Sequence, residues 1–268
     1  MQVRIPDIDF TTVPVHWAPN PEFAQSYNAF STVPAHIEPY LVKVMMAARK
    51  LLDPKHEQLH KDVDIFIRQE VQHCKLHQAY NKHLVDAGYA VMLPIEAPYK
   101  ADYARFLKDK PLRFNIAYAE GFESMGCAAA QVFFEDLDEF LDGADPRAAD
   151  LWRWHLAEEF EHREVCYQLY KAMYGNGLFA WLYRVYGFVF AVRHIGSHTR
   201  RLAEAMIAKD REGMSDAELK ASETRLAAYR NKVKKASLKR LVQVLSPFYN
   251  PAKRVASPGM AELLARYS

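Results

Sequence analysis

Apolar positions recur at helical spacing over long stretches of this chain. No stretch combines alternating β-branched residues with hairpin turn signals, so the pattern predicts helices and no sheet. Residues 1 to 33 carry Pro6, Pro14, Pro19 and Pro21 and no periodicity, which predicts an extended arm lying over the domain. A first helix is expected from about His36 to Leu52, ended by Asp53-Pro54, and a second from that break to about Asp86. After a short helical piece around Tyr99 to Leu107, a third long helix is expected from about Pro111 to Leu141. A fourth, opened by Asp145-Pro146, reaches about Tyr174 before Gly175-Asn176-Gly177. An aromatic helix to about Lys209 follows. A charged helix then begins at Ser215, where Ser215 and Glu218 have capping-box spacing, and runs to about Leu245. The expected fold class is all-α, in three parts: an arm over 1–33, a four-helix bundle over 34–175 and a C-terminal helical extension over 176–268 that packs on the bundle.

The composition fits this picture: 50% of the 268 residues are hydrophobic, enough to bury a full core, and only 10 are glycine. Lys+Arg 35 against Asp+Glu 33 leaves a net charge of +2, which gives no electrostatic argument for a nucleic-acid partner. Bases predominate from Arg200 to Arg254, interleaved with Leu and Val. A solvated helix face is the ordinary reading of such a run, and an anionic substrate or a membrane surface is the other. Cys74, Cys127 and Cys166 are too few and too scattered for a disulfide framework or a thiolate zinc site, which points to a reducing compartment. The opening MQVRIPDIDF lacks a charged region followed by an apolar run, so a cytoplasmic protein is expected. The apolar run Gly177 to Val192 is shorter than the ~20 residues that span a bilayer and contains Arg184. It reads as a buried helix, with contact to a membrane surface as the alternative.

The candidate chemistry lies in two copies of one pattern, Glu70-x-x-His73 and Glu159-x-x-His162. Residues three apart on a helix lie about 60° from each other, so each Glu and His reaches the same metal-sized volume. Bundles holding paired metal ions take one Glu-x-x-His from each of two helices and a lone Glu from each of the other two. Here the lone glutamates are Glu38 in the first helix and Glu120 in the third, and His155 lies on the Glu159 and His162 stripe. Four carboxylates balance two divalent ions, and carboxylate with imidazole suits iron or manganese. His77 reads as a partner orienting a carboxylate or as an additional ligand. Several choices stay open. Glu158 or Glu161 replaces Glu159 in a shifted register, Glu123 lies one turn from Glu120, and Pro39 places Glu38 in a first turn where it could simply favour the helix dipole.

The segments RQEVQHCKLH and WHLAEEFEHREV resemble the motifs of a bacterial family described as predicted metal-dependent hydrolases, over most of residues 30 to 175. The ligand set also resembles that of ferritin-like di-iron oxygenases, the arylamine N-oxygenases in particular, whose third histidine stands four positions before the last Glu-x-x-His, as His155 stands before Glu159. These resemblances imply a ferritin-like bundle with Glu38, Glu70, His73, Glu120, His155, Glu159 and His162 as ligands and with Glu70 and Glu159 as catalytic bridges. The expected function is a non-haem di-iron oxygenase with two Fe ions, or Mn in place of one or both. It would activate O2, oxidise a small organic substrate and draw electrons from a reductase or from that substrate. The alternative on the same ligands is a dinuclear hydrolase using a metal-bound hydroxide. Homodimer contact through the later helices is a further expectation.

His56-Glu57-Gln58-Leu59-His60 fits the zinc-peptidase pattern, but Phe66 stands where the third histidine of a metzincin belongs, and a solvated first turn is expected instead. Cys127 and Cys166 fall on the metal-bearing stripes and, with Gly121, are candidates for lining a pocket.

Overall fold

The computed structural model describes residues 1–267. Among these the chain is all-helical, with no strand. Four long helices carry the charged centre: α2 (Thr32–Leu51), α3 (Glu57–Asp86), α5 (Leu112–Asp136) and α7 (Pro146–His162). Between and after them come α4 (Met92–Asp109), α6 (Asp138–Leu141), α8 (Val165–Tyr174), α9 (Leu178–Asp210), α10 (Asp216–Val242) and α11 (Met260–Arg266). The expected fourth helix is two. After His162 the Arg163 guanidinium donates to the Phe160 carbonyl at 2.6 Å, the group that an unbroken helix would pair with the next turn, and α8 starts afresh.

The arm expected over 1–33 is extended only as far as Asn20. Helix α1 (Pro21–Phe30) follows, with the Asn20 side chain accepting from the Phe23 amide and Pro21 in the first turn. The four prolines hid this helix because Pro21 stands where a helix tolerates it best. Helix α2 likewise begins earlier than expected, at Thr32. Pro39 therefore stands in its interior, and Glu38 is not a first-turn residue. Pro39 has no N–H for the Ala35 carbonyl. Gln78 Nε2 donates to that oxygen at 3.3 Å and Cys74 Sγ lies 3.8 Å away, which ties α3 to the interrupted turn.

Helix α9 packs extensively on α5. The approach depends on two glycines: a Cβ on Gly187 would lie 2.6 Å from the Ala117 backbone, and one on Gly121 would lie 2.8 Å from Phe188 Cα. Gly121 thus serves a helix crossing. The two cysteines are equally plain packing groups. Cys127 is buried in one core cluster, and Cys166, in another, lies 3.7 Å from Met45 Sδ.

Candidate metal centre

Eight ionisable side chains converge inside the bundle, each essentially without solvent exposure: Glu38, Glu70, His73, His77, Glu123, His155, Glu159 and His162. Two groups of ligand atoms form among them, Glu38, His73, His155 and Glu159 in one and Glu70, Glu123, Glu159 and His162 in the other, each with its atoms within 4.8 Å of one another. Glu159 belongs to both. All four helices contribute: α2 gives Glu38, α3 gives Glu70 and His73, α5 gives Glu123, and α7 gives His155, Glu159 and His162.

His73, His155 and His162 each present one nitrogen inward and have the other held from outside. His73 Nδ1 lies 3.8 Å from Glu159 Oε1 and 3.9 Å from Glu38 Oε1, while Nε2 meets Glu158 Oε2 at 3.0 Å. Arg4 in turn donates to Glu158 at 2.9 Å and to Glu161 at 3.0 Å. His155 Nε2 lies 3.1 Å from Glu159 Oε1, and its Nδ1 is 2.6 Å from His77 Nε2. His77 is anchored by Ser31, 2.8 Å from its Nδ1. His162 Nε2 lies 3.2 Å from Glu123 Oε2 and 3.3 Å from Glu70 Oε1, and its Nδ1 meets Gln69 Oε1 at 3.2 Å. An outer acceptor that fixes the tautomer and turns the inner lone pair to one point is what metal-ligating imidazoles require. Glu158 and Gln69 do this here; spacing offers Glu158 only as a ligand in a shifted register, and nothing in the sequence singles out Gln69.

The residues fit a metal pair on a second count. Both oxygens of Glu38, Glu70 and Glu123, together with Glu159 Oε2, His73 Nδ1 and His162 Nε2, are buried without a hydrogen-bond partner. Uncompensated buried charge of this density is very costly, and a pair of cations is what would offset it. Space is shaped for it as well: a Cβ on Gly126 would come within 2.3 Å of Glu159 Oε2, so glycine there leaves room for the shared carboxylate. Aromatic rings close the sides, with Trp154 edge-on to His73 at 4.8 Å and Phe66 edge-on to His162 at 4.7 Å.

Without cations the electrostatics are strained. Burial first, then repulsion from neighbouring carboxylates, pushes Glu38 and Glu70 well above the usual range and Glu123 up to about 8. Burial would raise Glu159 too, but the adjacent His155 and His162 rings hold it well below that range. Burial keeps His73 and His77 neutral by lowering both.

Of the residues expected from sequence, the structure brings together Glu38, Glu70, His73, His155, Glu159 and His162, with His77 behind His155. Glu120 is placed elsewhere. Its Oε1 accepts from Ser124 at 2.9 Å and from Arg184 at 3.2 Å, and Glu123, one turn on, occupies the position expected of it. The peptidase-like His56 to His60 lies at the start of α3, where Glu57 is exposed.

The sequence model of the family described as predicted metal-dependent hydrolase matches residues 2–254. No curated protein matches, and no solved structure does. The likeness to arylamine N-oxygenases therefore has no counterpart in these comparisons. The family match covers the extended arm, all four helices that supply the buried ligand groups and most of the extension, and the chain belongs to the family of predicted metal-dependent hydrolases.

Proposed function

We propose that this protein is a dinuclear metal-dependent hydrolase acting on a small substrate. The observation that carries this reading is the pair of buried ligand groups joined through Glu159, in a chain of a family named for metal-dependent hydrolysis. A bound pair of divalent ions would supply Lewis acidity and a water acidic enough to react near neutral pH. The chain's own part is to hold and neutralise that pair. Glu38, Glu70, Glu123 and Glu159 provide four negative charges, His73, His155 and His162 provide neutral nitrogen donors, and Glu158, His77 and Gln69 fix the three rings.

A second reading keeps the same ligands and makes the protein an O2-dependent di-iron oxidase or oxygenase served by a reductase. It is favoured by the ligand chemistry, four carboxylates and three imidazoles with no thiolate, in a site walled by aromatic rings.

One experiment separates the two. Protein loaded anaerobically with Fe(II), Mn(II) or Zn(II) is assayed for metal content and then against a panel of activated esters, amides and phosphodiesters. About two ions per chain, with turnover that persists without O2 and disappears in Glu159→Ala, is the expected result. Turnover that needs both O2 and a reductant would move the assignment to the oxidative reading, and wild-type metal content in Glu159→Ala would remove the site from both.

A further inference from the structure

We propose that the face built from the first half of α9, the end of α10 and the turn after it docks on an anionic lipid surface. This goes beyond the hydrolase reading and does not depend on it. The chain would lie on the surface and not pass through it, since no helix among the described residues is long and apolar enough to cross a membrane.

Three observations converge. First, large apolar side chains stand in solvent here. Leu178 is 63% exposed and Phe179 81% at the start of α9, and Val242 is 53% and Phe248 88% at and just beyond the end of α10. Leu182, Val189 and Leu238 are exposed as well. The two segments meet: Trp181 Nε1 donates to the Leu245 carbonyl at 3.1 Å, Arg184 donates to the Val244 carbonyl at 2.6 Å, and Phe188, Val192, Leu241 and Leu245 share one apolar cluster. An exposed apolar patch of this kind marks an interaction site.

Second, neither segment carries a carboxylate. From Val165 to Ala203 and from Thr224 to Ala261 there is no Asp or Glu, although the chain as a whole has 33. Lys234, Lys235 and Lys239 are exposed, and no ion pair involves them among the described residues. Third, a cavity of about 570 Å³ opens beside α10, lined by Lys235, Lys239, Arg240, Lys253 and Arg254 with Asp136 as its one carboxylate. That carboxylate is already taken up by Arg240 at 2.8 Å.

Protruding rings with flanking bases match the boundary between acyl chains and anionic headgroups, where the rings enter the apolar layer and the bases stay with phosphate. A second copy of the chain fits less well. A two-fold contact sets a face against itself and would press these lysines onto their own symmetry mates with no carboxylate to relieve them.

The test is co-sedimentation of the full chain with phosphatidylcholine vesicles that contain about 30% phosphatidylglycerol, against phosphatidylcholine alone, at about 0.1 M salt. We expect binding to the anionic vesicles only, weakened by added salt. The double variant Phe179→Ser/Phe248→Ser should lower partitioning about tenfold or more, and Lys235→Glu/Lys239→Glu should do the same, with helix content unchanged. Equal binding to neutral vesicles, no binding to either, or wild-type binding by both variants would overturn the proposal. So would sedimentation velocity showing a dimer that the Phe variant dissociates, since the face would then belong to self-association. Should the Phe variant lose helix content, the lipid and salt dependence of the unaltered protein decides alone.

Discussion

Glu120 and Glu123 are both buried carboxylates on α5, one turn apart, and what separates them is the company each keeps. Glu120 has a cation and a hydroxyl, Arg184 and Ser124, while both oxygens of Glu123 lack a hydrogen-bond partner. Glu123→Ala should therefore remove about one of two metal equivalents with little loss of helix, whereas Glu120→Ala should retain both but leave Arg184 buried without its carboxylate, lowering stability by about 3 kcal/mol. Metal analysis after dialysis, with a denaturant titration of each variant, checks the pair. A shift of three residues turns a side chain by only about 60°, so sequence placed the carboxylate to within a turn and no closer. The deciding group, Arg184, is 64 positions away. The two Glu-x-x-His pairs were legible because both members of each pair lie on one helix face and need no tertiary information.

At the level of elements, sequence gave the long helices well where Gly or Asp-Pro punctuation bounds them, and failed where a tertiary contact sets the boundary. Four prolines mask the helix in the first segment, and the break between α7 and α8 depends on one guanidinium. Arg4, buried at 6% exposure, reaches Glu158 and Glu161 on α7, and the Gln2 carbonyl accepts from Gln69 Nε2 at 2.9 Å. The segment is thus part of the scaffold behind His73 and His162. Replacing Arg4 with Ala strands the Glu158 charge in the interior, and breaking a buried pair in this way costs about 3 to 5 kcal/mol. The predicted outcome is a lower denaturant midpoint together with metal affinity weakened about 10-fold or more, because the support of His73 is lost. Equilibrium unfolding and a competition titration with a chelator measure the two effects.

For the molecule as a whole, metal loading and stability are one equilibrium. In the metal-free protein Glu38, Glu70 and Glu123 have raised pKa values, so each binds its proton more tightly folded than unfolded. The cost of burying these carboxylates is absent below their ordinary value of 4.5 and grows as pH rises through the folded values, which for Glu123 is about 8. Cations held there would replace those protons, so loading would release protons and protect most where the metal-free protein is weakest. The fall in melting temperature caused by a chelator should be small near about pH 5.5 and largest near about pH 8, as thermal scans with and without chelator would show. A chelator effect independent of pH would mean that these carboxylates do not hold the ions.

The sharing of Glu159 carries that equilibrium one step further. One carboxylate serves both groups, and a single side chain cannot be oriented for one position without being oriented for the other. An ion held in one group would draw on Glu159 and displace protons from its neighbours, and so would bear on an ion held in the other. Occupancy of the two positions would then be coupled through one residue, and Glu159→Ala would weaken both at once.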